Sequence, residues 1–251
     1  MNNDVDILKK HLKELARRAS GGAYFTFSDF LGLAEQSALG EIERELGVKH
    51  EKFGGAEGAE RIVVRFGDEE EIGYSADYPI VAVKIEPVAP KFADRLTHRD
   101  FLGALLNLGI ERSVLGDIIV RDASAYVFVL EDMAEYIISS LSRVKHTDVK
   151  IVRADALPEG ELYKTEPVRI TAEGERLDAV IAKVYHISRD DSLSLFKKRL
   201  VYVDGKLCES ASYRPKAGER ISVRGYGRMI YRGIDSTTKK GKLAILVDLY
   251  V

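Results

Sequence analysis

A single cysteine, Cys208, is all that 251 residues contain. No intramolecular disulfide can form, and a zinc cluster built on several cysteines is excluded. Long apolar runs are missing as well: none approaches the roughly 20 residues that cross a bilayer. The opening Met1-Asn2-Asn3-Asp4-Val5-Asp6 lacks the basic start and apolar core of a secretory signal. An excess of one charge sign is also absent, the net value being -2. Together these absences give the expectation of a cytoplasmic protein with no membrane partner. The hydrophobic share of 45% and charged share of 31% belong to a folded globular chain and not to a disordered one. The length allows two or three compact units.

The near-neutral total hides an asymmetry. From Glu175 to Arg232 there are thirteen Lys/Arg against seven Asp/Glu, so this segment is +6 and the remainder -8. A basic module on an acidic body suits a polyanion ligand, although a solvated basic face accounts for the charge equally well.

Three units are expected, of α+β class. The first, 1–75, is a helical α/β domain. Val5, Leu8, Leu12, Leu15 and Ala16 recur at helical spacing and Gly21-Gly22 ends the helix. A second helix is expected from an N-cap at Ser28 to Leu46, stopped by Gly47. Ile62 to Phe66 reads as a strand. Asp68-Glu69-Glu70-Glu71 reads as a solvated turn and not a metal site, since adjacent carboxylates point in alternating directions.

The second unit, 76–155, shows strand 80–86, helix 97–108 with a capping start at Thr97-x-x-Asp100, strands 117–121 and 125–130, helix 131–144 and strand 147–152. The order β-α-β-β-α-β is that of the ferredoxin-like split βαβ sandwich, which RNA-recognition domains share with many unrelated proteins. Tyr126 and Phe128 fall on one face of the third strand. They are either a base-stacking platform or an ordinary core or domain interface. The second is preferred, because the first strand carries no aromatic and the basic-Gly-aromatic signature is missing. After the linker 157–161, the third unit spans 165–251. It offers helix 175–182, a helix starting at Ser188 with Asp191 three residues on, a hairpin turned by Asp204-Gly205, and a strand over 218–224.

Arg176-Leu177-Asp178, Ser188-Arg189, Val201-x-Val203-x-Gly205 and Gly218-Glu219-x-Ile221-x-Val223 together resemble the small RNA-binding domain named after ribosomal protein S-four (the αL type). The resemblance implies two helices on a small sheet, with Arg176 and Arg189 facing RNA phosphates and Lys197 and Lys198 beside them. Lys206, Arg214, Arg224, Tyr226 and Arg228 are expected to add RNA contacts. Two residues depart from the pattern: Arg199 stands where glycine is usual and could strain the helix end or add a phosphate contact, and Asp204 stands where asparagine is common. A wider resemblance runs through Leu96-Thr97-His98-Arg99-Asp100-Phe101-Leu102-Gly103-Ala104-Leu105, Gly109-Ile110, Gly116-Asp117-Ile118 and Arg224-Gly225-Tyr226-Gly227-Arg228. These stretches resemble the bacterial YlmH family, whose members are similar to ribosome-associated quality-control factors. That implies a non-enzymatic partner of rRNA or tRNA on a large subunit still carrying peptidyl-tRNA, supporting C-terminal tailing of the stalled chain. Secondary RNA contacts are expected at His98, Arg99 and Arg112, and a protein partner through the acidic N-terminal region.

The rival reading is an RNA-modifying enzyme, pseudouridine synthase- or methyltransferase-like, with an unrecognised active site. Arg176-Leu177-Asp178 lacks the residues that follow a pseudouridine synthase's catalytic Asp, and Gly225-Tyr226-Gly227 precedes no helix pattern. No P-loop and no Gly-x-Ser-x-Gly elbow occurs, so no cofactor is expected. The five histidines form no i,i+4 metal pair, and His98 reads as a surface residue or RNA contact before a general base. Lys239-Lys240-Gly241-Lys242 reads as a solvated turn between strands.

Overall fold

The computed structural model describes residues 2–22, 24–158, 162–238 and 241–250. The chain divides into two compact units, 1–162 and 163–251. Part of the expected linker, Glu159 to Glu161, lies outside the described residues, as do Lys239 and Lys240 of the expected turn.

In the first unit, α1 (Asn2–Gly22) buries Leu12, Leu15 and Ala16, while Val5 in its first turn is exposed. Next come β1 (Thr26–Phe27), α2 (Leu33–Ile42), β2 (His50–Phe53) and β3 (Val63–Phe66), the strands ordered β1-β3-β2. Ser28 is not a helix cap. Its hydroxyl accepts the Val64 N–H at 2.9 Å and donates to the Asp29 carbonyl at 2.7 Å, so it serves the sheet, and α2 starts later behind Gly32. The acidic run forms one helical turn, α3 (Glu69–Ile72), with the Asp68 carboxylate accepting from the Glu70 N–H at 3.1 Å. Arg65, on β3, is buried, held between the Phe25 and Tyr78 rings and bonded to Glu51 and Glu69.

Then follow β4 (Ile80–Pro87), α4 (His98–Leu106), β5 (Leu115–Arg121), β6 (Ser124–Leu130), α5 (Glu131–Ser140), β7 (Arg143–Val144) and β8 (Thr147–Arg153). The strands lie β5-β6-β4-β8-β7, every pair antiparallel, which is the split βαβ order with one short edge strand added. Asp100 at the head of α4 accepts from the Thr97 N–H at 2.8 Å, as the capping spacing requires. Helix α5 is shorter than its apolar spacing suggests. Leu141 leaves helical backbone, and Arg143–Val144 turn back to pair with Thr147 and Asp148. One face of the sheet packs on α4 and α5 through Val83, Ile85, Val127, Val129, Phe101 and Ile137.

The second unit runs β9 (Thr165–Ala172), α6 (Leu177–Val184), α7 (Arg189–Lys197), β10 (Val201–Val203), β11 (Lys206–Leu207), β12 (Arg220–Val223), β13 (Gly227–Thr237) and β14 (Leu243–Tyr250). Its sheet has six strands, β11-β10-β12-β13-β14-β9, where the sequence suggested a smaller one. Asp204 and Gly205 both have positive φ, 44° and 75°, the backbone that a two-residue hairpin turn demands. Helices α6 and α7 cover one sheet face, with Leu177, Val180, Ile181, Leu195 and Phe196 packed on Val201, Ile221, Met229 and Tyr231.

Candidate nucleic-acid interface

Most of α6 is apolar, yet its second residue, Asp178, is completely buried. A buried carboxylate is tolerated only when paired. Here Arg176 donates through Nε and a terminal nitrogen at 3.0 and 3.3 Å, and Arg189, at the start of α7, donates through Nε at 3.1 Å. Burial alone would raise the Asp178 carboxyl. The two guanidiniums outweigh it and hold the group below its ordinary value. Ser192 ties α7 to the same turn by donating to the Asp178 carbonyl at 2.8 Å. Both arginine side chains remain about half exposed, 45% and 54%, so their outer edges are open to a ligand.

The neighbouring loop closes on this clamp. The Leu177 N–H donates to the Tyr213 carbonyl and the Asp178 N–H to that of Ala211, bringing exposed Arg214 to the head of α6. At the far end of α7, Lys197, Lys198 and Arg199 are all exposed. Arg199 sits at φ +58°. Its N–H reaches the Phe196 carbonyl and that of Leu200 reaches Leu195, a Schellman cap that normally uses glycine. The strain anticipated at this residue is therefore present in the backbone, while its side chain makes only a 3.7 Å pair with Glu209. Arg199→Gly is expected to stabilise the chain by about 1 kcal/mol, seen as a raised urea midpoint with unchanged slope. A lower midpoint would mean that the arginine is held by more than its backbone.

Lys206 projects from the hairpin and is exposed. Arg224 lies with its guanidinium 4.6 Å from the Tyr202 ring centre. Tyr226, 46% exposed in the turn into β13, leans on Tyr185 at 5.5 Å between ring centres. The Tyr185 hydroxyl is buried without a hydrogen bond among the described residues, and burial pushes its pKa up to about 12. Arg228 stands apart from the clamp. It pairs in register with Ser222, between the core-facing Ile221 and Val223, so it projects from the sheet face opposite the helices. There it stacks on Tyr250 at 4.4 Å and Tyr163 at 5.6 Å. In the first unit His98 and Arg99 are exposed at the head of α4, whereas Arg112 turns inward and donates to the Leu115 and Gly116 carbonyls.

Sequence reading missed Tyr185, Tyr202, Tyr163 and Tyr250. The alternation of Tyr202 between Val201 and Val203 was the one signal that it faces away from the core. It also did not foresee Asp178 as the hinge between two arginines, although an acid inside an apolar helix stripe points to a paired, buried charge.

Chemically, two oriented guanidiniums, with exposed lysines at the other end of α7, make a surface for phosphate oxygens, which planar forks bind in pairs. Among the described residues no group of His, Cys, Asp or Glu could hold a metal ion, and no helix is long and apolar enough to cross a membrane. The class that fold and surface define is an α+β protein with an exposed cationic face on its second unit. Residues 74–157 match the family described as "Putative RNA-binding domain in YlmH". The chain is 30% identical over 225 residues to the ribosome-associated protein quality control protein P2 of Bacillus subtilis, covering 88% of this chain and 86% of that one. It belongs to the YlmH family. An uncharacterized RNA pseudouridine synthase of Aquifex aeolicus is 36% identical over 77 residues, 27% of this chain and about a third (32%) of its own length. A solved structure, the cell division protein ylmH from Streptococcus pneumoniae, aligns at 19% identity with TM-score 0.49, over 60% of this chain and 91% of that one.

Proposed function

We propose that this protein is a non-enzymatic RNA-binding factor of the ribosome, acting in quality control on the large subunit in the cytoplasm. Its ligand is rRNA or tRNA. The gripping module is the S-four-type third domain, 165–251, with domains 1–75 and 76–155 before it and a protein partner engaged through the first. The single observation that carries the reading is the Asp178 clamp, which fixes Arg176 and Arg189 side by side with their outer edges open. Lys197, Lys198, Arg199, Lys206, Arg214, Arg224 and Tyr226 extend the surface. The relative's name, a ribosome-associated quality control protein, supplies the setting. The pseudouridine synthase alternative is disfavoured at its most obvious residue: Asp178 is buried and salt-linked to two arginines, so it cannot reach a base.

Structured RNA is read largely through its backbone, and binding releases counterions. The Arg176→Ala, Arg189→Ala double variant is therefore expected to bind RNA broadly less well. The slope of log affinity against log salt should fall by about one to two units, at about 0.9 per phosphate contact. Co-sedimentation with ribosomes and separated subunits, at low and moderate salt, checks it. Co-migration with the large subunit that the double variant loses supports the reading, and absence of association at either salt sinks it. A modification missing from the RNA of a deletion strain would favour the enzyme instead.

A further inference from the structure

The RNA-recognition use of a split βαβ sheet is closed in this chain. Phe128, on the face where bases would stack, is 3% exposed and packed on Phe30, Val63 and Ile119. A Cβ on Gly55 would come within 2.4 Å of its ring, so backbone of the N-terminal region lies against it. Tyr126, on the same face, packs against the same cluster. RNA contact by residues 74–157 must use another surface.

One surface of that domain carries the chemistry. Where β4 leaves the sheet, the chain runs through 88–97 into α4 and is stitched to the β7–β8 hairpin. The Val88 N–H donates to the Asp148 carbonyl at 2.9 Å and the Asp94 N–H to the Thr147 hydroxyl at 2.8 Å. The Asp94 carboxylate accepts from the His146 N–H at 3.1 Å, and Lys145 pairs with Asp100 at 3.0 Å. Across 88–100 and 143–150 there are six Lys/Arg and three Asp/Glu. The acids are engaged, Asp94 and Asp100 as above and Asp148 with Arg143. Lys91, Arg95 and Arg99 are exposed and make no ion pair among the described residues. Between Lys91 and Arg95 in the chain, Phe92 is 89% exposed, more than any other large hydrophobic side chain described. An apolar ring left in water among unneutralised cations lacks a folding rationale. It suits an unpaired base, which stacks on the ring while the cations take the flanking phosphates.

We propose that Phe92, with Lys91, Arg95 and Arg99, forms a second RNA contact that stacks an unpaired base, separate from the Asp178 clamp. It rests on the reading of the chain as an RNA binder. A protein partner is the less favoured occupant, because the rim is cationic and the matched family is described by RNA binding.

The test uses the full chain and a labelled RNA hairpin with an unpaired loop, in fluorescence anisotropy. Phe92→Ala is expected to weaken binding roughly 5- to 140-fold, the range for one stacked base, with Phe92→Tyr retaining affinity. The Lys91, Arg95, Arg99 triple alanine variant should lower the salt slope by roughly two, at about 0.7 per single-strand phosphate. Substitution at these exposed positions is expected to leave the fold intact, which unfolding curves of each variant check. If the Phe92 and triple variants bind like wild type while the Arg176/Arg189 variant is weakened, this second contact is wrong and the clamp stands; a protein then becomes the occupant to seek. If the Phe92 variant alone is weakened, the clamp is wrong and this contact stands. If no variant changes affinity, or wild type does not bind, both fail.

Discussion

Asp178→Asn is expected to weaken RNA binding even though it makes the protein one charge more positive. Charge counting alone predicts tighter binding to a polyanion. The clamp predicts the opposite. Without the carboxylate, Arg176 and Arg189 lose the acceptor that aligns them, and each must be ordered again when RNA binds. The affinity should fall toward that of the Arg176/Arg189 double variant, and a tighter complex would refute the clamp. Stability should fall as well, by about 2 kcal/mol in urea unfolding, since charge-assisted hydrogen bonds are worth more than neutral ones but these arginines are half solvated. The pH dependence has a definite sign. The Asp178 carboxyl is held below its ordinary 3.8 in the folded chain. Its contribution is complete above that ordinary value and is lost as pH falls through the lower folded one. The stability gap between wild type and Asp178→Asn should therefore be constant near neutrality and close in strong acid. A gap that persists unchanged in acid would place the effect in packing instead.

How much of this was legible depended on whether the physics was local. The βαβ unit was readable because Val81, Val83 and Ile85 alternate toward the helix-covered face of the sheet, and because Thr97 and Asp100 cap a helix three residues apart. The Asp204-Gly205 turn was equally local. The C-terminal sheet was not. Strand β9 contains Pro167, which reads as a break but is tolerated because β9 is the sheet's edge. Strand β13 is bulged between Tyr231 and Gly233 and again after Ile234, so its alternation changes phase twice. Ser28 looked like a cap because its chemistry is the same whether it receives a helix N–H or the Val64 N–H across a sheet. The partners of the site were hidden for a similar reason. Arg189 lies eleven residues from Asp178 and on the next helix, so no pattern within one helix brings the two together. The aromatics of β6 were visible as a pair, but the residues that cover Phe128, Phe30 and Gly55, come from far upstream.

That cover makes Phe128 the residue with the largest expected loss. Phe128→Ala should cost about 3–5 kcal/mol, the usual penalty for emptying a buried aromatic site. The site has little means of relaxing. A Cβ at Gly116 would approach the Phe30 ring to 2.7 Å and the Phe128 Cβ to 2.8 Å, and a Cβ at Gly55 would come within 2.4 Å of the Phe128 ring. Backbone already packed this close to the side chain, at its Cβ and at its ring, cannot collapse far into the space it leaves. The consequence should also be directional. The α1–α2–β3 cluster and the β4–β6–α4–α5 cluster each have their own core, and Phe128 with Phe30, Val63 and Ile119 joins them. Removing the joint is expected to split a single unfolding transition of the first unit, with the N-terminal cluster melting first under hydrogen exchange. A stacking platform predicts another outcome: an intact fold, one transition, and weaker RNA binding. The two outcomes differ in stability before any RNA is added, so unfolding of the free protein decides between them.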